Sequence, residues 1–141
     1  MDPKEILIEI TSGNSTRLYM GLLNICWTAN KDALSNLYKN KDIILSHIEN
    51  SDLNKPDLVK RAFRVLENNE AGRCRCNIYE KDILSDPENE EKEEVIRIDK
   101  EIKFHELYET HYNVTCLRCM RRYFVKKIGG GHRPIWEWKT S

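Results

Sequence analysis

No run of apolar residues in this chain approaches the roughly 18 needed to cross a bilayer. The opening, MDPKEILIEI, has no basic stretch leading into an apolar one. The first absence argues against a membrane-spanning helix. The second sets the expectation of no secretory signal, hence of an intracellular protein in the cytoplasm, the nucleus or both. On that expectation the sequons Asn14-Ser15-Thr16 and Asn113-Val114-Thr115 are chance matches. Net charge is missing too: 23 Lys and Arg balance 23 Asp and Glu. Taken whole, the chain therefore lacks the basic excess of a dedicated nucleic-acid domain.

Catalytic signatures are also absent. His105 and His111 bracket HELYETH, whereas metalloprotease chemistry needs histidines at i and i+4, on one side of a helix. The deaminase pattern of His-x-Glu with Pro-Cys-x-x-Cys does not occur. Gly129, Gly130 and Gly131 are followed by neither the lysine nor the helix of a phosphate-binding loop. Cys116 and Cys119 lie outside any thioredoxin-like βαβ pattern. The expectation is a protein that is not an enzyme.

What is present is enough apolar material for one ordinary domain or two small ones. The chain has 141 residues, 40% hydrophobic and 33% charged. Residues 1–72 read as a helical domain. ILIEI after Pro3 suits helix or strand. Ser12-Gly13-Asn14-Ser15 offers a break and an N-cap. Leu18, Leu22, Ile25 and Cys26 then recur at helical spacing, as do Ala33, Leu34, Leu37 and Tyr38, and Ile43, Ile44, His47 and Ile48. Cys26, within that apolar run, reads as a small buried hydrophobe. Pro56 suits a first helical turn and Gly72 a stop.

The pattern changes from residue 73. CRCNIY, from Cys74, suits a short strand. SDPENEEKEE, residues 85–94, holds no large apolar residue and reads as a mobile acidic surface loop. Ile96, Ile98, Ile102 and Phe104 alternate as a strand or hairpin does, and Phe104, Leu107, Tyr108 and His111 then take helical spacing. RRYFVKK and RPIWEWK flank the glycines as two strands joined by a turn. The fold class expected is α+β: a helical domain, then a small α+β domain over residues 73–141. About 70 residues make a marginal core, and units of that size commonly need a metal or another staple.

The cysteines offer the staple. Four of the five form two close pairs, Cys74/Cys76 and Cys116/Cys119. In a reducing compartment such pairs read as metal ligands before disulfides. Residues two apart on a strand face one side, and a CxxC turn converges two thiolates on one ion at about 2.3 Å. The expected set is Cys74, Cys76, Cys116 and Cys119 around Zn2+. His105, His111 and His132 lie near enough in sequence to be alternates, and Cys76, His111, Cys116 and Cys119 form a rival set.

Overall neutrality hides an asymmetry. Residues 80–94 carry eight acids against two lysines. Residues 117–141 carry Arg118, Arg121, Arg122, Lys126, Lys127, Arg133 and Lys139 against Glu137 alone. Cations beside Tyr112, Tyr123, Phe124, Trp136 and Trp138 are the combination that single-stranded RNA or DNA uses, phosphates on the charges and bases on the rings. Trp136 and Trp138 share one face of a strand and are candidates for stacking. The alternative is that the aromatics are core and the chain is a protein–protein adaptor with a purely structural zinc site. The expected partner is thus a nucleic acid or a regulatory protein.

A helical amino-terminal part, a CxC, a CxxC followed by arginines and aromatics, and a short tail together resemble the small cysteine-rich accessory proteins of viruses. The Lys/Asn/Ile-rich wording is similar to the product of an AT-rich compact genome. The resemblance covers Cys74, Cys76, Cys116, Cys119 and the segment after them. It implies a regulator or host-interaction factor.

Overall fold

The computed structural model describes residues 2–129 and 134–141. The chain is α+β and divides into two compact units, Met1–Arg73 and Cys74–Ser141.

The first unit holds five α-helices among the described residues: α1 Pro3–Ile10, α2 Ser15–Trp27, α3 Lys31–Lys39, α4 Lys41–Glu49 and α5 Pro56–Glu70. Local chemistry fixes their starts. Asp2 accepts the Lys4 N–H at 2.8 Å with Pro3 in the first turn, which settles the opening segment as helix. Asn14 and Asn30 accept from Arg17 and Ala33 at 3.0 and 2.9 Å. Caps of this kind stabilise a helix by about 1 kcal/mol each. Gly72, with φ of 71°, takes the left-handed turn that ends α5. α1 packs on α2, and α5 packs on α2 and α3. Leu22, Ile25, Cys26, Leu37, Ile44 and Leu66 are fully buried between them.

α1 and α2 pack closely at Gly21. A Cβ there would stand 2.7 Å from Cγ1 of Ile10, itself buried. Gly21→Ala gains about 1 kcal/mol of helix propensity but overpacks the crossing at a cost of about 1–3 kcal/mol. A lower urea midpoint for the helical unit is expected; a higher one would show that the helices part freely.

In the second unit, a 3-10 helix (Arg75–Lys81) and a short α6 (Pro87–Lys92) precede an antiparallel sheet. The strands β1 (Ile96–Phe104), β2 (Glu109–Cys116), β3 (Arg122–Ile128) and β4 (Ile135–Thr140) lie in sequence order. The paired strands β3 and β4 match the expectation for RRYFVKK and RPIWEWK. Gly130, Gly131, His132 and Arg133 lie outside the described residues.

Three expectations are corrected here. Cys74 to Tyr79 do not form a strand: Cys74 caps the 3-10 helix, whose first turn closes with Asn77 N–H donating to Cys74 O at 3.0 Å. Arg75, which a strand would have turned outward, is buried. Residues 85–94 are not simply a surface loop either, since α6 forms within them. Asp86 caps it, and Ser85 and Glu90 are buried. Arg75 Nε donates to Glu90 Oε2 at 3.1 Å, so the buried acid is neutralised inside the unit. Finally, Phe104 to His111 are not helical. A 3-10 turn (His105–Leu107) and Tyr108 in the left-handed region link β1 to β2.

Register explains which side chains meet. On β2, β3 and β4, Tyr112, Val114, Tyr123, Val125, Trp136 and Trp138 turn inward and are buried. Residues 83–85 lie along β4, where Trp136 N–H donates to Ile83 O at 2.9 Å and Trp138 Nε1 to Ser85 O at 2.8 Å. β1 carries a bulge between Ile98 and Lys100. The bulge reverses the alternation, so Ile96 is buried inside while Ile102 and Phe104 emerge on the outward face beside His111 and Glu109.

Candidate metal centre and the basic surface beside it

Four thiols meet at one end of the sheet. Cys116 closes β2, and a tight turn returns the chain to β3, with Met120 N–H donating to Cys116 O and Cys116 N–H to Arg121 O, both at 2.8 Å. Met120 takes the left-handed φ of 64° that this turn requires. Leu117 N–H donates to Val95 O at 2.9 Å, tying the turn to the start of β1. Opposite stands the 3-10 helix, where Tyr123 Oη donates to Cys76 O at 3.3 Å.

The sulfurs of Cys74, Cys76, Cys116 and Cys119 all lie within 4.8 Å of one another. Cys74 and Cys116 are 3.5 Å apart, and Cys76 and Cys119 3.4 Å. Four sulfurs held about 2.3 Å from one ion in a tetrahedron stand about 3.8 Å apart, so the cluster has the dimensions of a four-thiolate site. None of the four is in a disulfide. A thiol hydrogen bond from Cys76 holds Cys116 down to about 4, against the effect of burial, and the backbone N–H groups of Cys119 and Arg118 assist. The same bond and burial push Cys76 upward. Cys116 is thus shifted toward the thiolate, the form that binds metal, while burial pushes the Cys74 thiol up, away from it. These four residues can hold a metal ion.

The histidine alternates do not join it. His111 sits on β2 five positions before Cys116, roughly 17 Å along an extended strand. Its Nε2 is 3.0 Å from Glu109 Oε2, and its ring packs against Phe104 and Phe124. This placement rules out the rival set of Cys76, His111, Cys116 and Cys119. His105 is exposed in the turn at the other end of β1. His132 lies outside the described residues.

The basic segment does not form one continuous surface. Arg118 and Arg121 are exposed in and just after the cysteine turn, and Arg122 and Lys126 point outward from β3. Lys127 turns to the opposite face, its Nζ 5.9 Å from the centre of the Trp136 ring. Arg133 lies outside the described residues. The two tryptophans belong to the core. Trp138 is 4% exposed and stacks on Tyr79 at 4.1 Å, and Trp136 is 9% exposed. Their rings are not offered to bases, which corrects the expectation that they stack on nucleic acid. Burial of these two large apolar rings supplies much of the core of so small a unit.

One feature of the outward face gives no sequence signal. An open cleft of about 390 Å³ is lined by Arg97, Asp99, Asn113, Thr115 and Arg122 among others. Thr115 donates to Asp99 Oδ2 and Arg97 to Asp99 Oδ1, both at 2.6 Å. These two bonds hold the Asp99 carboxyl below its ordinary range. Asp99 sits at the bulge, a position that no local pattern announces.

No helix is long and apolar enough to cross a membrane among the described residues. No protein-family model, curated protein or solved structure matches the chain.

Proposed function

We propose that the carboxyl-terminal unit is a zinc-stapled module that binds single-stranded RNA or DNA and has no catalytic role. One observation carries the reading: Cys74, Cys76, Cys116 and Cys119 converge on the turn that bears Arg118 and Arg121. Four thiolates fill a tetrahedral ion and leave no position for substrate, so the metal is structural. What it fixes is the position of exposed cations beside an open sheet.

The test pairs metal content, by native mass spectrometry, with gel shifts at two salt concentrations. One zinc per chain is expected. Replacing Arg118, Arg121, Arg122 and Lys126 by glutamine is expected to weaken binding to all sequences alike. The slope of log K against log salt should shrink by about 0.7 for each phosphate of a single strand that is no longer neutralised. An unchanged slope would reject these cations as the surface that meets the backbone.

A second reading, a protein-binding adaptor, draws on exposed apolar side chains of the helical unit: Ile8 at 59%, Ile43 at 49% and Trp27 at 41%. It expects no salt-dependent nucleic-acid binding, and a protein captured through residues 1–73.

A further inference from the structure

The outward face of the sheet carries aromatic rings that the core does not use. Phe104 and His111 have ring centres 4.6 Å apart, and His111 and Phe124 5.2 Å. Phe104 is 39% exposed, and His111 and Phe124 are half-buried. Burying such rings against the tryptophans would be the ordinary outcome for a small unit. The bulge at Asp99 instead brings Phe104 out to meet the other two.

Cations alternate with these rings. Arg122, Phe124 and Lys126 stand at successive outward positions of β3, each step roughly 6.8 Å along the strand. Lys139 pairs with Phe124 across the β3–β4 ladder, and Lys100 pairs with Asn113. With Arg97, the face carries five cations against three acids, Asp99, Glu109 and Glu137. Two acids pair with two of these cations, Asp99 with Arg97 and Glu109, at 4.0 Å, with Lys126, while Thr115 and His111 also bond them, which leaves Arg122, Lys100 and Lys139 against Glu137. The cleft of about 390 Å³ lined by Arg97, Arg122 and the Arg97-bound Asp99 includes the outward-facing Asn113 and Thr115 of this same face. A row of rings bordered by cations suits a flexible polyanion whose bases are unstacked. Duplex bases, stacked on each other, offer no ring face to such a surface.

We propose that the outward face of the β1–β4 sheet is where single-stranded nucleic acid binds, with bases stacked on Phe104, His111 and Phe124 and the backbone led over Arg122 into the cleft it shares with Arg97. This rests on the nucleic-acid reading above, and it moves the stacking platform from the tryptophans to the opposite side of the sheet.

The experiment is fluorescence anisotropy on the full zinc-loaded chain. The probes are fluorescein-labelled 12-nucleotide oligouridylate and oligothymidylate, with a duplex of equal length as comparison. Phe104→Leu and Phe124→Leu keep an apolar side chain but lose the ring face, and near-UV dichroism of the buried tryptophans checks that the sheet is intact. Each is expected to weaken single-strand binding by about 5- to 150-fold, the range for one base–aromatic stack, with the salt slope unchanged. The duplex should bind more weakly than either single strand. If both leucine variants bind like the parent while Arg118→Gln or Arg121→Gln lowers affinity, nucleic acid binds at the cysteine turn. The face is then not the site, although the broader reading survives. If the parent binds none of the three probes at any salt concentration, the nucleic-acid reading itself falls, and this inference with it.

Discussion

Cys116→Ser is expected to unfold residues 74–141 and to leave the five helices between Pro3 and Glu70 formed. The sheet unit has 68 residues by these bounds, a size at which one hydrophobic core rarely supplies more than about 3–5 kcal/mol. Structural zinc in small units contributes an apparent binding free energy of about 10–16 kcal/mol at neutral pH, and that energy is folding energy. Serine offers no thiolate, so on the proposed zinc staple most of this contribution is lost with the one ligand. Cys116 is also fully buried and ends β2, so its loss disturbs the turn and the strand together. The tryptophans make the result readable. Trp136 and Trp138 report on the sheet unit, and Trp27→Phe silences the helical one. Near-UV dichroism should vanish while most far-UV helical signal persists. A strong chelator added to the parent should reproduce the change, and excess zinc should reverse it. A sheet unit that melts at the same temperature with and without chelator would remove the metal from the account of stability.

Much of this was legible because it is local. Asn14, Pro56 and Gly72 act within a turn or two of where they stand, and each helix boundary they announce lies within two residues of the observed one. The cysteine pairs were legible for a different reason: two thiols within a few residues have few other purposes in a reduced chain. What escaped was set by distant partners. SDPENEEKEE looks solvated because nothing in it is greasy, yet Glu90 is buried by Arg75, 15 residues earlier. Trp136 and Trp138 beside arginines look like a nucleic-acid platform, yet both are buried: Ser85 and Tyr79 hold Trp138 from across the unit, and Ile83 O accepts the Trp136 backbone N–H. Ile96, Ile98, Ile102 and Phe104 share one parity, so simple alternation assigns them one face. The bulge that splits them is stabilised by Thr115 holding Asp99, 16 residues away. These three failures share an origin: local pattern cannot report an interaction whose other half is remote in sequence.

The Arg75–Glu90 pair shows how much rests on such an interaction. Glu90→Ala takes the carboxylate away from a guanidinium that is 4% exposed. Removing one member of a buried pair costs about 3–5 kcal/mol, because the remaining charge stays desolvated. The metal-free unit is unfolded already on the expectation above, so the cost shows where metal and fold are coupled. In the metal-bound protein the same cost should appear as a fall in apparent zinc affinity. At 1.4 kcal/mol per decade, the loss is roughly 10²- to 10³·⁵-fold, measurable by competition with a chromophoric chelator. This is the opposite of what an acidic surface loop would do, since an exposed glutamate can be replaced at a cost within about 0.5 kcal/mol. Deleting residues 85–94 should be worse still, because Ser85, which accepts from Trp138, leaves with Glu90. The double variant Arg75→Met, Glu90→Leu separates charge from shape. It removes both desolvated charges and keeps the volume, so zinc affinity should stand above that of Glu90→Ala alone. A double variant as damaged as Glu90→Ala alone would mean that α6 is held by the shape and hydrogen bonds of these side chains, and that neutralising a buried charge is not what anchors it.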